Sequence, residues 1–248
     1  MMKKMSILLC LCLCYTLGMA QHGTQFENQG FENWIEYGNG NSFNEPIHWH
    51  SSMSATGTYS GFLTQQIEPS NIIRPGTSGT KSIRLYPKSI MGVTANGNLT
   101  NGRVNAGSML PSGRNNYNYT QRSDSRFNTP ITGVPDSLVV WVCFRSSSPE
   151  QQAMLKAVIH GDADFKLIAN GTMEPADKRV ATAVLSFKRT SETGGKYTWR
   201  RLSIPFVKDG PCNDPRYILF TITTNERPGY GSTDDDLLVD DVLLIWNE

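Results

Sequence analysis

Two adjacent carboxylates interrupt the most apolar run near the carboxyl end of the sequence. Asp240 and Asp241 stand within "LLVDDVLLIW", a run typical of a β-strand. Because successive side chains of a strand point to opposite faces, the two cannot both face solvent unless a bulge intervenes. A carboxylate inside an apolar strand pair is costly unless it is paired or metal-bound. The run predicts either a Ca²⁺ site, since Ca²⁺ takes oxygen ligands, or a metal-free network of backbone N–H and arginine donors.

A polar stretch in the middle of the chain contains residues that could bind a sugar. Tyr117 and Tyr119 lie in "RNNYNYT", beside Arg114 and Asn116. A tyrosine combines an apolar ring, on which the C–H face of a pyranose can stack, with a polar tip. Arginine and amide side chains can bind the hydroxyls, and Arg103 is a further candidate contact. The alternative is that the tyrosines only pin their own loop to the rest of the fold.

The motifs that would indicate catalysis are weak. Zinc catalysis needs three protein ligands, and His48 and His50, which would share one face of a strand, have no clear third. Hydrolysis of a glycosidic bond needs two carboxylates at a set separation, and no spacing selects such a pair. A nucleophilic serine in G-x-S-x-G is also missing. We therefore assign no catalytic residue, and the question of enzymatic activity stays open, leaning towards binding without catalysis.

Short β-branched and aromatic runs separated by glycine, proline, asparagine and aspartate dominate the chain. No apolar pattern with a helical period lasts three turns. The clearest predicted strands are 81–86, 137–145, 153–160, 180–188, 197–206, 216–224 and 237–246. Many short strands with frequent turns indicate an antiparallel sandwich or barrel. Residues 95–133 are poor in aliphatic side chains, which predicts a set of packed surface loops or a functional rim.

The amino terminus has the features of a secretory signal peptide. Two lysines precede an apolar run over 6–17, and Gly18 and Ala20 supply the small residues of a cleavage site. We predict a signal peptide over 1–20 and a single domain over 21–248, with a secreted, periplasmic or cell-surface product. Without the two lysines the formal net charge changes from +1 to about −1, and no basic stripe suggests nucleic acid. No later apolar run reaches transmembrane length.

Two cysteines remain beyond the predicted signal peptide. Cys143 lies in the strand-like run "LVVWVCF" and is predicted to be a small buried side chain. Cys212 lies in the turn "DGPCNDP". A disulfide between them could form in an oxidising compartment, and the sequence leaves this alternative open, as it does the oligomeric state.

Six segments, in order along the chain, carry a resemblance to a known family: "FENW" (31–34), "EPIHWHS" (45–51), "GVTANGNLTNGRVNAGSM" (92–109), "FNTPITGVPDSLVVWVCF" (127–144), "RLSIPF" (201–206) and "TTNERPGYGSTDDDLLVDDVLLIW" (223–246). Together they resemble the carbohydrate metabolism domain family of secreted Bacteroidetes proteins. The resemblance implies an all-β, jelly-roll β-sandwich similar to galactose-binding and carbohydrate-binding modules.

A more distant resemblance concerns the two ends of the chain. Phe31-Glu32 and Asp240-Asp241-Val242 match segments that, in many jelly-roll carbohydrate-binding modules, meet across one edge and help to hold a structural Ca²⁺. It implies that Glu32 lies near Asp240 and Asp241 and that the three carboxylates share one Ca²⁺.

We therefore predict a secreted, non-catalytic protein that binds a glycan or polysaccharide in a shallow site walled by the 95–133 segment. The two alternatives are a glycoside hydrolase or lyase on the same fold and a structural or adhesive surface protein without a sugar site. The predicted carbohydrate-binding residues are Tyr117, Tyr119, Arg103, Arg114 and Asn116.

Overall fold

The computed structural model describes residues 23–37 and 43–247, so the predicted signal peptide lies outside the described residues. Within those ranges the regular structure consists of β-strands and four 3₁₀ turns. The turns are Ser52–Ser54, Ser60–Phe62, Ser125–Phe127 and Ala176–Lys178. The strands are β1 (Trp34–Tyr37), β2 (Phe43–Pro46), β3 (Ile67–Ser70), β4 (Ser82–Leu85), β5 (Lys88–Ile90), β6 (Val93–Ala95), β7 (Asn98–Thr100), β8 (Arg103–Ala106), β9 (Asn116–Tyr119), β10 (Ser137–Arg145), β11 (Gln152–His160), β12 (Lys166–Ile168), β13 (Met173–Glu174), β14 (Arg179–Lys188), β15 (Arg200–Pro205), β16 (Tyr217–Thr223) and β17 (Asp236–Ile245).

Eight strands form the two sheets of a jelly-roll sandwich. The first sheet has the order β15-β10-β17-β4, extended by β3 beside β4, and the second has the order β14-β11-β16-β7. All neighbours in both sheets are antiparallel. The chain crosses between the sheets at most of the connections, which interlocks two Greek keys. The predicted all-β, jelly-roll β-sandwich is confirmed.

The main core lies between these two sheets. Because side chains alternate along a strand, one face of each long strand is apolar and the opposite face is free for other contacts. The inward residues of the four central strands are fully or almost fully buried: Leu138, Val140, Val142 and Phe144 on β10; Ala153, Leu155, Ala157 and Ile159 on β11; Ile218, Phe220 and Ile222 on β16; Leu237, Val239, Val242 and Leu244 on β17. Each large side chain buried here contributes roughly 1.5–3 kcal/mol.

A third layer covers the outer face of the second sheet. It is the four-stranded sheet β13-β12-β9-β8. Val158 and Leu219, on the outer face of the second sheet, pack against Phe165 and Leu167 in a second, smaller core. The third layer also contains the antiparallel pair β8-β9.

The predicted loops at 95–133 are therefore partly wrong, because this segment contains β7, β8 and β9. Its strands carry asparagine and tyrosine in place of aliphatic side chains, so the usual apolar alternation is missing. In β9 the alternation is between Asn116 and Asn118 on one face and Tyr117 and Tyr119 on the other. Amide side chains can bond across strands here, which lets a polar sequence form a packed sheet.

The two cysteines do not form a disulfide. Cys143 is buried, as predicted, and Cys212 is partly exposed; both are free thiols. Burial raises the pKa of the Cys143 thiol. The described part of the chain also has no helix that is long and apolar enough to cross a membrane.

Candidate functional site

A cleft with a volume of about 270 Å³ lies where the second sheet meets the third layer. We call it the sheet cleft. Its floor includes Met154 and Lys156 of β11 and Thr221 and Thr223 of β16. Along β11 and β16 these four side chains alternate with the inward core residues. Because successive side chains of a strand point to opposite faces, they lie on the outer face of the second sheet.

Three polar side chains on the floor bond to one another. Asn98 Nδ2 donates to Asn118 Oδ1 at 2.9 Å, and Asn118 Nδ2 donates to Thr221 Oγ1 at 2.6 Å. The hydroxyl of Thr221 in turn donates to Asn98 Oδ1 at 2.9 Å. The network joins β7 and β16 of the second sheet to β9 of the third layer. It fixes the floor without using a charged group.

Lys156 is a cation on this floor. In the ladder it lies opposite Val184 of β14 and Thr221 of β16. Its side chain is partly buried, and burial lowers the pKa of the ammonium. The ammonium has no carboxylate partner among the described residues. It lies beside the turn at Gly171, where a Cβ on that glycine would be 4.0 Å from Lys156 Nζ.

The walls and rim of the sheet cleft are largely apolar. Tyr59 and Tyr117 are among the lining residues, and Phe62, Met91 and Met109, which also line the cleft, are exposed by 53%, 58% and 47%. Exposed apolar side chains around a concave surface are typical of a binding site. An aromatic wall above a polar floor suits a ligand with one apolar face and several hydroxyl or charged groups.

Two amide side chains at one end of the cleft keep an unused polar atom. Asn96 Nδ2 donates to the carbonyl of Asn225 at 3.1 Å, and Asn225 Oδ1 accepts from the backbone N–H of Arg227 at 2.7 Å. The opposite atoms, Asn96 Oδ1 and Asn225 Nδ2, are buried and have no partner among the described residues. Each amide is held by one end and could bond a ligand with the other.

Two of the five predicted carbohydrate-binding residues line the sheet cleft. They are Tyr117 and Asn116. The amide of Asn116 is occupied, because Nδ2 donates to the carbonyls of Ser108 and Leu110 at 3.0 and 2.9 Å and Oδ1 accepts from the Ser108 N–H at 3.0 Å. Asn116 therefore holds the rim loop, and Tyr117 remains as the predicted stacking residue.

The structure places the other three predicted residues outside the cleft. Tyr119 packs edge-on against Tyr117, with ring centroids 5.5 Å apart. Arg103 donates to Gln121 Oε1 at 3.1 Å and to the carbonyl of Ser54 at 3.3 Å.

Arg114 forms an ion pair with Glu174. It precedes β9, and its guanidinium is directed to the carboxylate of Glu174 on β13. Carbohydrate binding by Tyr119, Arg103 and Arg114 stays a prediction.

The residues on the floor of the sheet cleft were not predicted from the sequence. Lys156 and Thr221 lie in predicted strands, and their polar side chains alternate with buried ones in "AMLKAVI" and "ILFTIT". That alternation marks a face that is not part of the main core. It does not say that β9 covers this face, and so it does not reveal a cleft.

The acidic pair of β17 lies on a β-bulge at the other side of the sandwich. Across the β10–β17 ladder Asp240 pairs with Trp141 and Leu243 pairs with Val139. Asp241 and Val242 of β17 therefore lie opposite one residue of β10, Val140. The extra residue is Asp241, whose φ is 47°. The bulge allows both carboxylates to leave the core.

Arg74 donates hydrogen bonds to both carboxylates of this acidic pair. Its Nε donates to Asp241, and its backbone N–H donates to Asp240 Oδ2 at 3.5 Å. The guanidinium lies over the ring of Trp141, 5.2 Å from its centroid. Asp240 is 1% exposed; burial and the charge of Asp241 raise the pKa of Asp240 to about 7.

Glu32 is engaged elsewhere. Its carboxylate accepts hydrogen bonds from the N–H and hydroxyl of Thr80 at 2.9 and 2.8 Å and from the Lys81 N–H at 3.1 Å. Burial acts to raise the pKa of Glu32, but these hydrogen bonds lower it. Among the described residues no three histidine, cysteine or acidic side chains form a metal-binding group. Calcium binding by Glu32, Asp240 and Asp241 therefore stays a prediction, and the bonds described here match its metal-free alternative.

Solved structures contain a similar sandwich. A candidate glycoside hydrolase from Bacteroides thetaiotaomicron VPI-5482 has a TM-score of 0.58 and 15% identity, over 88% of this chain and 70% of that chain. The K1 cleaved adhesin domain of Lys-gingipain from Porphyromonas gingivalis W83 has a TM-score of 0.36 and 14% identity, over 91% of this chain and 99% of that chain. The CBM27-1 module of Caldicellulosiruptor saccharolyticus, in complex with mannohexaose, has a TM-score of 0.34 and 12% identity, over 90% of this chain and 95% of that chain.

No protein-family model and no curated protein matches the sequence. The resemblance to the Bacteroidetes family therefore stays a prediction. At 15% identity the likeness to the candidate hydrolase establishes the fold, and the chain is a β-sandwich of that kind.

Proposed function

We propose that this is a secreted carbohydrate-binding protein that binds its glycan in the sheet cleft without catalysis. The observation that carries the proposal is a concave site that has Tyr59 and Tyr117 among its lining residues and the bonded network of Asn98, Asn118 and Thr221 on its floor. A pyranose offers an apolar C–H face to such a ring and hydroxyl groups to such a floor.

The size and shape of the site support binding of a short glycan segment. The cleft is open along one side of the second sheet and is rimmed by exposed side chains such as Phe62 and Met91. Open sites of this kind hold a ligand by few contacts. We expect dissociation constants in the μM–mM range, which correspond to about −8 to −4 kcal/mol.

The number of carboxylates in the cleft favours binding over hydrolysis. Among the described residues that line it, Glu226 is the only carboxylate. Hydrolysis of a glycosidic bond by the usual mechanism needs two carboxyl groups about 5–9.5 Å apart. A purely structural or adhesive role would not require the aromatic wall and the unpartnered amides at Asn96 and Asn225.

The test is a glycan array on the chain without its predicted signal peptide, followed by calorimetric titration of the best ligand. We expect Tyr117→Ala to weaken binding by about fivefold or more, taking the cost of a lost stacking ring as about 1 kcal/mol or more, as for bases stacked on aromatic rings. The matched control is Tyr197→Ala, which removes a partly exposed tyrosine ring beside Arg145 of the first sheet, away from the cleft. Equal binding by wild type and Tyr117→Ala would show that the site is misplaced, and no binding to any glycan would refute the proposed function.

A further inference from the structure

Lys156 is a charge without compensation inside the sheet cleft. Its ammonium makes no ion pair or hydrogen bond with a described residue, whereas the exposed Lys188 on the neighbouring strand β14 pairs with Glu150 at 3.0 Å. Val184 and Thr221, its ladder neighbours, are uncharged. A partly buried ammonium with no partner is unfavourable in the free protein.

The carboxylate of the cleft does not supply that partner. Glu226 is fixed by its backbone N–H, which donates to the carbonyl of Gln152 at 2.8 Å. Gln152 stands four residues from Lys156 on β11, which is about 13 Å at 3.3 Å per residue. The Glu226 side chain lies instead 4.0 Å from Arg227 Nε. Lys156 and Glu226 thus mark opposite ends of the cleft.

The two ends differ in the ligand groups that they can bind. At the Glu226 end, Asn225 is 4% exposed and its Nδ2 donor is unpartnered. This donor fits a hydroxyl or ring oxygen. At the Lys156 end, the neutral side chains of Asn98, Asn118 and Thr221 bond to one another, so the ammonium is the polar group left for a ligand.

We propose, building on the proposed carbohydrate-binding function, that the glycan is acidic and that its carboxylate or sulfate group binds Lys156. The chain of sugars then runs along β11 and β16 towards Asn225. A bound anion replaces the water lost from the ammonium with a charge-assisted hydrogen bond. The lowered pKa of Lys156 agrees with its desolvation.

The experiment compares three oligosaccharides of equal length: a galacturonide, a sulfated galactan and a neutral galactan. We expect wild type to bind at least one acidic ligand at least about tenfold more tightly than the neutral one, as one hydrogen bond to a charged group is worth about 1.5–3 kcal/mol. The first two ligands distinguish carboxylate from sulfate. Lys156→Gln should abolish the preference, Lys156→Arg should keep it, and Lys188→Gln, on the neighbouring strand, should not change it.

The outcomes separate this inference from the function on which it rests. Equal affinity of wild type for acidic and neutral glycans overturns the acidic ligand but leaves carbohydrate binding intact. An acidic preference that survives Lys156→Gln also overturns it. Absence of binding to these three oligosaccharides and to every glycan of the array overturns both proposals. Should Lys156→Gln fail to fold, the salt dependence of wild-type binding decides, since an ion pair at Lys156 must weaken as salt rises.

Discussion

The side-chain amide of Asn118 donates a hydrogen bond of 2.6 Å to the hydroxyl of Thr221. The two residues are 103 positions apart in sequence and lie in different layers, β9 and β16. Both are at least nine-tenths buried, at 9% and 7% exposure. This contact, with Asn98 as the third member, joins the third layer to the sandwich and shapes the floor of the sheet cleft.

The first prediction concerns this network. Asn118→Ala leaves Thr221 and Asn98 without their shared partner in a buried position, and we expect a loss of about 1–3 kcal/mol in the free energy of unfolding. Urea denaturation measures it. The control is Asn105→Ala on β8, whose Nδ2 donates to the Asn115 carbonyl at an exposed site; this change should cost less. Equal losses for both variants would contradict the importance of the floor network.

The second prediction concerns Arg145 and Asp236 on the outer face of the first sheet. Arg145 Nε and Nη2 bind the two carboxylate oxygens of Asp236 at 2.8 and 2.5 Å, and the side chains are 12% and 4% exposed. Arg84 adds a second contact at 3.2 Å. Arg145→Ala leaves the buried carboxylate with Arg84 as its remaining cation, so we expect a loss of about 1.5–3 kcal/mol in the free energy of unfolding.

The control for this ion pair is Arg122→Ala. Arg122 pairs with Asp162 and Asp164, but all three side chains are at least 40% exposed. Exposed pairs contribute about 0–1 kcal/mol. Thermal denaturation of both variants compares the two effects, and a similar decrease in Tm would refute the role of burial.

The third prediction is a pH dependence due to His160. This imidazole is buried, donates through Nδ1 to the carbonyl of Gly161 at 2.8 Å and accepts at Nε2 from Thr120 Oγ1 at 2.8 Å. Burial lowers its pKa to about 4, although the Gly161 hydrogen bond acts in the opposite direction. The unfolded chain, with a histidine pKa of about 6.5, therefore binds more protons than the folded one between these values.

The contribution of His160 to stability should consequently be complete above pH 6.5 and should fall as the pH decreases towards 4, by up to about 3 kcal/mol. Asp240 contributes with the opposite sign over the same range, because its raised pKa makes the folded chain bind more protons than the unfolded one. Urea denaturation of wild type and His160→Gln at pH 7, 5.5 and 4.5 isolates the histidine, and the wild type should lose more stability than the variant as the pH falls. Ile159→Val, a buried change worth about 0.5–1.5 kcal/mol, should lower stability at every pH and leave the slope unchanged. An unchanged slope in His160→Gln would rule out this histidine as the cause.

The fourth prediction concerns calcium. Because Arg74 pairs with Asp241 and donates its N–H to Asp240, and Thr80 and Lys81 bond Glu32, we expect a chelator to leave Tm unchanged. Scanning calorimetry with excess chelator and then with excess Ca²⁺ measures this. A decrease in Tm that Ca²⁺ reverses would instead support the ligand set predicted from the two ends of the chain.

Much of the fold could be predicted from local patterns. The alternation in 137–145, 153–160 and 216–224 indicates strands, because each such run must bury one face, and these runs are β10, β11 and β16. Tyr117 was also recognisable as an aromatic ring in a polar segment, and it lines the sheet cleft. The need of Asp240 and Asp241 for partners or a bulge followed from strand geometry, and both are present.

Local patterns are enough to recognise the strand-forming residues and the side chains that share a face, since both depend on neighbours two positions apart. The assembled sheets bring Lys156, Asn118 and Thr221 into one cleft and bring Arg74 to Asp241, 167 positions away. These contacts depend on the order and register of strands, which local alternation does not encode. A polar face of β11 is solvent-exposed or a binding floor according to whether β9 covers it, and that is a property of the assembled layers.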